Sequence, residues 1–358
     1  VTWDAARRLL AVRLDALGDV LMTTPALRAL KSARPGRHLT LLTSPAGAAA
    51  AALVPEVDQV LVYEAPWMKA TPPRADRAAD LAMIDRLRAE RFDAAAIFTV
   101  YSQNPLPAAL LCHLADVPLR LAHCHENPYQ LLTDWVLDPE PARGVRHEVR
   151  RQLDLVAAVG AGCDAERLSL TVPADARMRV AGLLRERGLD RRRWIVLHPG
   201  GTAPSRRYPP EQFAEAARAL VRATGCAVVL SGAEGEHGTI DRLRALIGGD
   251  AVTLPALALA DFAALVEAAP LLVSNNSGPV HVAAAVGTAV VDLYALTNPQ
   301  HTPWGVPHRV LFHDVPCKYC YKSVCPEGHH DCLRRVPAKA VAEAALSLLP
   351  RGWVRAAA

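Results

Sequence analysis

From Arg8 onward the hydrophobic positions fall in short unbroken runs, separated by segments in which Ala, Leu and Arg recur at helical spacing. Unbroken apolar runs suit strands covered on both faces, and their alternation with helices predicts βα units and a mostly parallel sheet. In the first half, strands are predicted near 9–14, 38–43, 58–62, 94–99 and 118–122, with helices such as 78–91 and 148–159 filling the gaps. After Gly160-Ala161-Gly162 the pattern thins into a Pro-containing stretch that ends near Pro173 and Asp175, the expected interdomain linker. The same grammar then restarts, with strands at 194–198, 227–231, 252–254, 271–274 and 289–293. Residues 296–335 are loop-rich, and Pro337 is placed to open a last helix running to Leu349. The expected architecture is α/β with two domains, 1–170 and 171–358. Two open parallel sheets facing each other would leave a ligand cleft between their strand C-terminal ends.

Composition narrows the class. At 358 residues, 51% hydrophobic and 21% charged, the chain is ordinary globular material. The 40 basic and 36 acidic residues are spread along the chain, a balance that argues against a dedicated nucleic-acid binder and leaves room for a mildly basic face toward phosphorylated ligands or anionic lipid. The longest apolar stretches, 46–54 and 282–291, are about half of what spans a bilayer. Charges at Asp4, Arg7, Arg8, Arg13, Asp15 and Asp19 leave no apolar signal region, so a cytosolic location is expected. Of the eight cysteines, Cys112, Cys124, Cys163 and Cys226 are scattered in the manner of reduced thiols, and the other four cluster.

Three segments carry chemistry. The first, RLDALGDVLMTTPALRAL, begins at Arg13: a strand ends near Leu14, Gly18 permits a tight turn, Asp19 opens a helical turn, and Thr24 with Pro25 reads as a second cap and first helical position. Asp19 is either a plain helix cap or a base. A strand-turn-helix corner built for phosphate keeps its N–H groups free, whereas a carboxylate there repels an anion and suits deprotonation of a hydroxyl. The second, LHPGGTAPSRRYPPEQF from Leu197, follows a strand with Gly200, Gly201, the hydroxyls of Thr202 and Ser205, and the guanidinium groups of Arg206 and Arg207. That is a phosphate site in outline, its alternative being a Pro/Gly loop with two solvated arginines. The third, SNNSGPVHVAAA from Ser274, places Ser277 as a cap, Gly278 and Pro279 at the helix start and His281 on the first turn. His281 reads either as a structural histidine or as a group facing an anion, and two anion-ready corners in one half suggest a diphosphate. No Asp-x-Asp pair occurs, so the charge must be met by protein cations and helix ends. No G-x-G-x-x-G occurs either, and GAEGEHG from Gly232 has the wrong spacing for a nicotinamide dehydrogenase.

Taken in order, RLDALGDVLMTTPALRAL, HPGGTAPSRRYPPEQF, SGAEGE and SNNSGPVHVAAAVGT resemble glycosyltransferase family 9, the ADP-heptose:lipopolysaccharide heptosyltransferases. RLAHCHENPYQLLTD from Arg120 and HEVRRQLDLVAAVG from His147 extend the likeness across nearly the whole chain. The resemblance implies a GT-B fold, two Rossmann-like domains, and inverting, metal-independent transfer from a nucleotide-diphosphate heptose such as ADP-heptose to a glycan or glycolipid acceptor. The first domain would take the acceptor and the second the donor. Asp19 matches the family's general base beside Gly18, and Arg206 matches the lysine that neutralises the diphosphate. Ser277, Gly278 and His281 match its phosphate corner, and Glu236 its ribose-binding acid. Asn276 stands where the family carries Asp, which keeps hydrogen bonding and removes a negative charge. Peripheral association with the inner membrane is a family-level expectation. The rival readings are a degenerate transferase that binds a nucleotide-sugar without transferring it, and another GT-B enzyme of nucleotide-sugars.

Cys317, Cys320, Cys325 and Cys332 occupy a loop at 315–333 with His329 and His330 among them. Four thiolates from one loop suit structural zinc or iron, and some related autotransporter heptosyltransferases carry a four-cysteine iron finger. Disulfides and free thiols packed beside the cleft are the alternatives. A catalytic metal is not expected, since four thiolates leave no open position.

Overall fold

The computed structural model describes residues 2–69 and 71–353. The chain divides into two compact units, Val1–Leu170 and Thr171–Ala358. The first holds β1 (Arg8–Arg13), β2 (His38–Thr43), β3 (Gln59–Val62), β4 (Ala94–Ile97), β5 (Leu119–Cys124) and β6 (Asp134–Leu137) in the order β3-β2-β1-β4-β5-β6. The second holds β7 (Trp194–His198), β8 (Ala227–Leu230), β9 (Ala251–Thr253), β10 (Leu271–Asn275), β11 (Ala289–Leu293) and β12 (His308–Leu311) in the order β12-β11-β10-β7-β8-β9. Every pairing in both sheets is parallel.

Each sheet therefore starts at a middle strand, winds outward, and returns beside its starting strand to wind the other way. This is the doubly wound order, and its reversal lies between β1 and β4 in one unit and between β7 and β10 in the other. At the reversal the connections leave toward opposite faces, which opens a crevice at the strand C-terminal ends. The central strands are buried throughout, with Leu10, Val12, Leu42 and Ile97 in one core and Ile195, Leu197, Val228 and Val273 in the other. The predicted central strands all form. Two of the four edge strands, β6 and β12, were not anticipated: half-exposed on both faces, they mix Asp134, Trp135, His308 and Arg309 into their apolar positions and so lack an unbroken run.

Two local expectations change. Gly18 does not form a tight turn but lies in the first turn of the helix Leu17–Ser32, and Thr24-Pro25 does not start a second helix but lies inside the same one. Pro25 has no N–H for the carbonyl of Leu21, and the Thr24 hydroxyl donates to that carbonyl instead at 2.7 Å. The substitution of one donor for another lets the helix run through.

Candidate functional site

In the N-terminal unit, β1 delivers Arg13 to the sheet reversal with its side chain wholly buried. Its guanidinium spans three carboxylates: Nε lies 2.9 Å from Asp15, Nη2 3.1 Å from Asp19 and Nη1 2.7 Å from Glu148. Asp19 sits at the third position of its helix, where its Oδ2 also accepts from the backbone N–H of Ala16 at 3.3 Å. A negative group in that first turn is favoured by the helix dipole. Asp15 accepts from the Gln103 amide at 2.6 Å, so the loop after β4 joins the loop after β1 across the reversal. Burial would lower the Arg13 pKa, but Asp15, Glu148 and Asp19 outweigh it and push it up. Burial pushes the Asp15 carboxyl up to about 6, with Arg13 opposing and Asp19 reinforcing the rise.

A carboxyl raised above its unfolded value stabilises the fold most when protonated. That contribution is full below about pH 4 and is lost as pH rises through about 6. Asp15→Asn removes the titration. Thermal melts should show the variant gaining on its parent by on the order of 2 kcal/mol between pH 4 and pH 7.5. Parallel pH–stability curves would contradict this electrostatic account.

In the C-terminal unit the loops after β7 and β10 meet at the second reversal. Asn275 ties them: its amide donates to the carbonyls of Pro199 at 2.6 Å and Gly200 at 3.2 Å, and its Oδ1 accepts from Tyr208 N–H at 2.9 Å. Glu236 lies under the glycine loop, accepting from Gly201 N–H and Ala233 N–H at 2.9 Å each. Thr202 is exposed. Arg206 is half-buried, and its Nε donates to the Thr297 hydroxyl at 3.2 Å, while Arg207 donates to the Gly201 carbonyl. Ser277 caps the helix Gly278–Val286 by position only: its hydroxyl turns back to the Asn275 carbonyl, so no side chain caps that N-terminus. His281 is buried on the first turn. Asn276 donates to Asp292 at 2.9 Å and to the His301 carbonyl at 2.8 Å. Burial raises the Asp292 carboxyl well above its ordinary range, the Asn276 bond opposing.

Ser205 departs from the expected donor-binding role. It is buried, and its hydroxyl donates to the Lys322 carbonyl while its N–H donates to Ser323, so it anchors the arginine loop to the cysteine-rich loop.

The glycosyltransferase family 9 (heptosyltransferase) sequence model matches residues 81–330. The chain belongs to glycosyltransferase family 9. It is 26% identical to lipopolysaccharide heptosyltransferase 1 of Pseudomonas aeruginosa over 324 residues, covering 89% of this chain and 87% of that protein. The fold is that of the family 9 glycosyltransferase of Veillonella parvula, with a TM-score of 0.79, 22% identity, and coverage of 97% and 98% of the two chains. The ADP-heptose lipopolysaccharide heptosyltransferase II of Escherichia coli aligns with a TM-score of 0.73, 23% identity, and coverage of 95% and 98%. This family 9 member is accordingly a glycosyltransferase of GT-B fold. No helix among its described residues is long and apolar enough to cross a membrane.

In this glycosyltransferase the four clustered cysteines are half-buried free thiols lining one small cavity with His329, His330 and Thr297. Burial raises the Cys332 thiol, and Cys325, Cys317 and Cys320 add to the rise. The donor chemistry suits a soft metal, but among the described residues no group of three or more His, Cys, Asp and Glu is arranged to hold one. The sequence expectation of a structural zinc or iron therefore lacks a formed ligand set among the described residues. The loop instead backs Ser205 and Thr297, and so Arg206. Sequence reasoning missed Arg13, Asp15, Gln103, Asn275 and Thr297, each of which has a partner 76 to 135 positions away. Arg13 and Asp15 did stand inside a segment already singled out, and a charged residue ending an apolar strand was the available signal.

Proposed function

We propose that the enzyme transfers a heptose from ADP-heptose to a sugar hydroxyl of a lipopolysaccharide-core or related glycan, with inversion and without a catalytic metal. The observation that carries this reading is the Asp19 carboxylate held in a helix first turn by the buried Arg13 fork. Asp19 takes the acceptor hydroxyl proton as that oxygen bonds to the anomeric carbon, and the bond from that carbon to the diphosphate oxygen breaks as ADP leaves. Arg206, the Gly200-Gly201 loop and the open start of helix Gly278–Val286 meet the charge that develops on the diphosphate. Glu236 serves the ribose hydroxyls. The relatives' activities support this donor and acceptor class.

Incubation of the purified protein with ADP-heptose and a panel of acceptors tests the reading, product and released ADP being measured together. Arg206→Ala should lower kcat/KM by about ten- to a few-hundred-fold, the value of one charge-assisted hydrogen bond of about 1.5–3 kcal/mol. An unchanged kcat/KM removes Arg206 from the site. At Gly200 an added Cβ would collide with both Glu236 carboxylate oxygens, so that side chain must move. Gly200→Ala should weaken ADP binding by about tenfold in calorimetry, with little change in melting temperature. Undiminished affinity would show that Glu236 does not touch the nucleotide.

Asn276, neutral where the resemblance to the family implies Asp, favours a second reading in which the protein binds the nucleotide-sugar without transferring it. Donor binding with no product across the acceptor panel would select it.

A further inference from the structure

The clustered cysteines are a motif that the proposed chemistry leaves unused. Cys317, Cys320, Cys325 and Cys332 are half-buried free thiols, and all four line one cavity. They are not equivalent. Cys317 Sγ lies 3.8 Å from His329 Nε2. The other ring nitrogen, Nδ1, accepts from the Asp331 backbone N–H at 2.9 Å, so the neutral imidazole carries its hydrogen on Nε2 and presents it to the sulfur. A donor in that place favours the thiolate, the form that attacks a disulfide, and Cys320 follows in C-x2-C spacing as the resolving thiol.

The backbone beyond Cys317 supports the arginine loop. Tyr319 N–H donates to the Leu296 carbonyl at 2.6 Å, and Tyr321 N–H to the Thr297 carbonyl at 2.8 Å. The Lys322 carbonyl accepts from the Ser205 hydroxyl at 2.8 Å, and the Ser323 carbonyl from the Ser205 N–H at 3.0 Å. Arg206 follows Ser205 in the chain and donates from Nε to the Thr297 hydroxyl at 3.2 Å, so both of its supports rest on this stretch. Tyr319 and Tyr321, on either side of Cys320, hold φ of 61° and 54°, a left-handed conformation that residues with a Cβ seldom adopt. Their bonds to Leu296 and Thr297 keep that backbone in place, and a movement of Cys320 disturbs both.

We propose that Cys317 and Cys320 form a thiol–disulfide site for a low-molecular-weight disulfide such as oxidised glutathione, and that its closure withdraws the supports of Arg206 and weakens binding of a nucleotide diphosphate. The second half rests on the proposed role of Arg206. The Cys317 thiolate attacks one sulfur of the incoming disulfide, forming a mixed disulfide and expelling the first thiolate. Cys320 then attacks the Cys317 sulfur and expels the second. The two cysteines are oxidised, the small disulfide is reduced to two thiols, and the protons of the cysteines pass to the two leaving groups. A disulfide sets its sulfurs about 2.05 Å apart, whereas the free thiols stand apart around the cavity, so closure draws Cys320 toward Cys317 and turns the backbone at Tyr319 and Tyr321.

The full chain carrying Cys163→Ser, which removes the half-buried thiol outside the cluster, is equilibrated with reduced and oxidised glutathione over a range of ratios. Peptide mapping should find a Cys317–Cys320 disulfide that dithiothreitol reverses. The oxidised protein should bind ADP about tenfold more weakly in calorimetry and be cut by trypsin after Arg206 several-fold faster. Cys317→Ser should hold the reduced protein's ADP affinity and cleavage rate at every ratio. A Cys317–Cys320 pair that stays reduced throughout would overturn the proposal, as would a disulfide that changes neither readout, or zinc or iron held by all four thiols and shielding them from the oxidant. Faster cleavage with unchanged ADP affinity would overturn the nucleotide half and the placement of Arg206 with it. Absence of ADP binding by the reduced parent would be a failure of the proposed function, because the peptide map and the cleavage rate are read without nucleotide.

Discussion

Replacing Asp19 by Asn is expected to lower kcat by about 10²–10⁴-fold, the range that a positioned general base contributes. The amide is nearly isosteric and keeps an oxygen for Arg13, so the helix start and the fold should persist. Donor affinity, which the proposed function places in the C-terminal unit, should stay within about twofold of the parent's. This split between kcat and donor binding is what distinguishes loss of a base from loss of a binding group. Asp15, which also faces Arg13, provides the control. Its substitution alters the electrostatics around Asp19 without removing the base, so Asp15→Asn should lower kcat far less than Asp19→Asn. Near-parental turnover by Asp19→Asn would remove the carboxylate from the chemistry, and a reversed order of the two variants would move the base to Asp15.

The largest stability effect is expected at Arg13. One guanidinium, wholly buried, separates Asp15, Asp19 and Glu148, the last also accepting from Gln152 at 2.7 Å. Arg13→Met fills a similar length with apolar atoms and leaves three carboxylates facing one another in a region of low dielectric. Breaking a buried ion pair from one side costs about 3–5 kcal/mol, and urea denaturation at pH 7.5 should show a loss of that order. The deficit should shrink toward pH 4.5, where the Asp15 carboxyl, which burial already pushes up to about 6, takes up its proton. Arg13→Lys should recover only part of it, since an ammonium cannot bridge three carboxylates in one plane. A Met variant within about 1 kcal/mol of the parent at pH 7.5 would show that the cluster is held by packing alone.

Much of the fold was legible because central parallel strands must be apolar on both faces, which prints them as unbroken runs; β2, β7 and β11 were read to within a residue. The edge strands β6 and β12 were not legible, since one open side lets polar residues into them. Pro25 was misread for a related reason: a proline signals a break until a neighbouring hydroxyl, here that of Thr24, takes over the orphaned carbonyl. Within the site, the sequence alone marked Asp19, the Gly200-Gly201 loop, Arg206 and the Ser277–Gly278 corner, because each lies in a local strand-loop-helix pattern whose chemistry is set by adjacent residues.

What the sequence determined by itself was the alternating α/β order, the family, and the segments proposed to carry the chemistry. Those depend on short-range periodicity and on motifs a few residues long. Only the tertiary structure decided that Arg13 is the hub of three carboxylates, that Asn275 ties the loop after β7 to the end of β10, and that Ser205 is committed to the cysteine-rich loop. The bonds Arg13–Glu148, Asn275–Pro199 and Ser205–Lys322 join residues 135, 76 and 117 positions apart, and a charge or an amide buried by such a contact leaves no trace in the residues beside it along the chain.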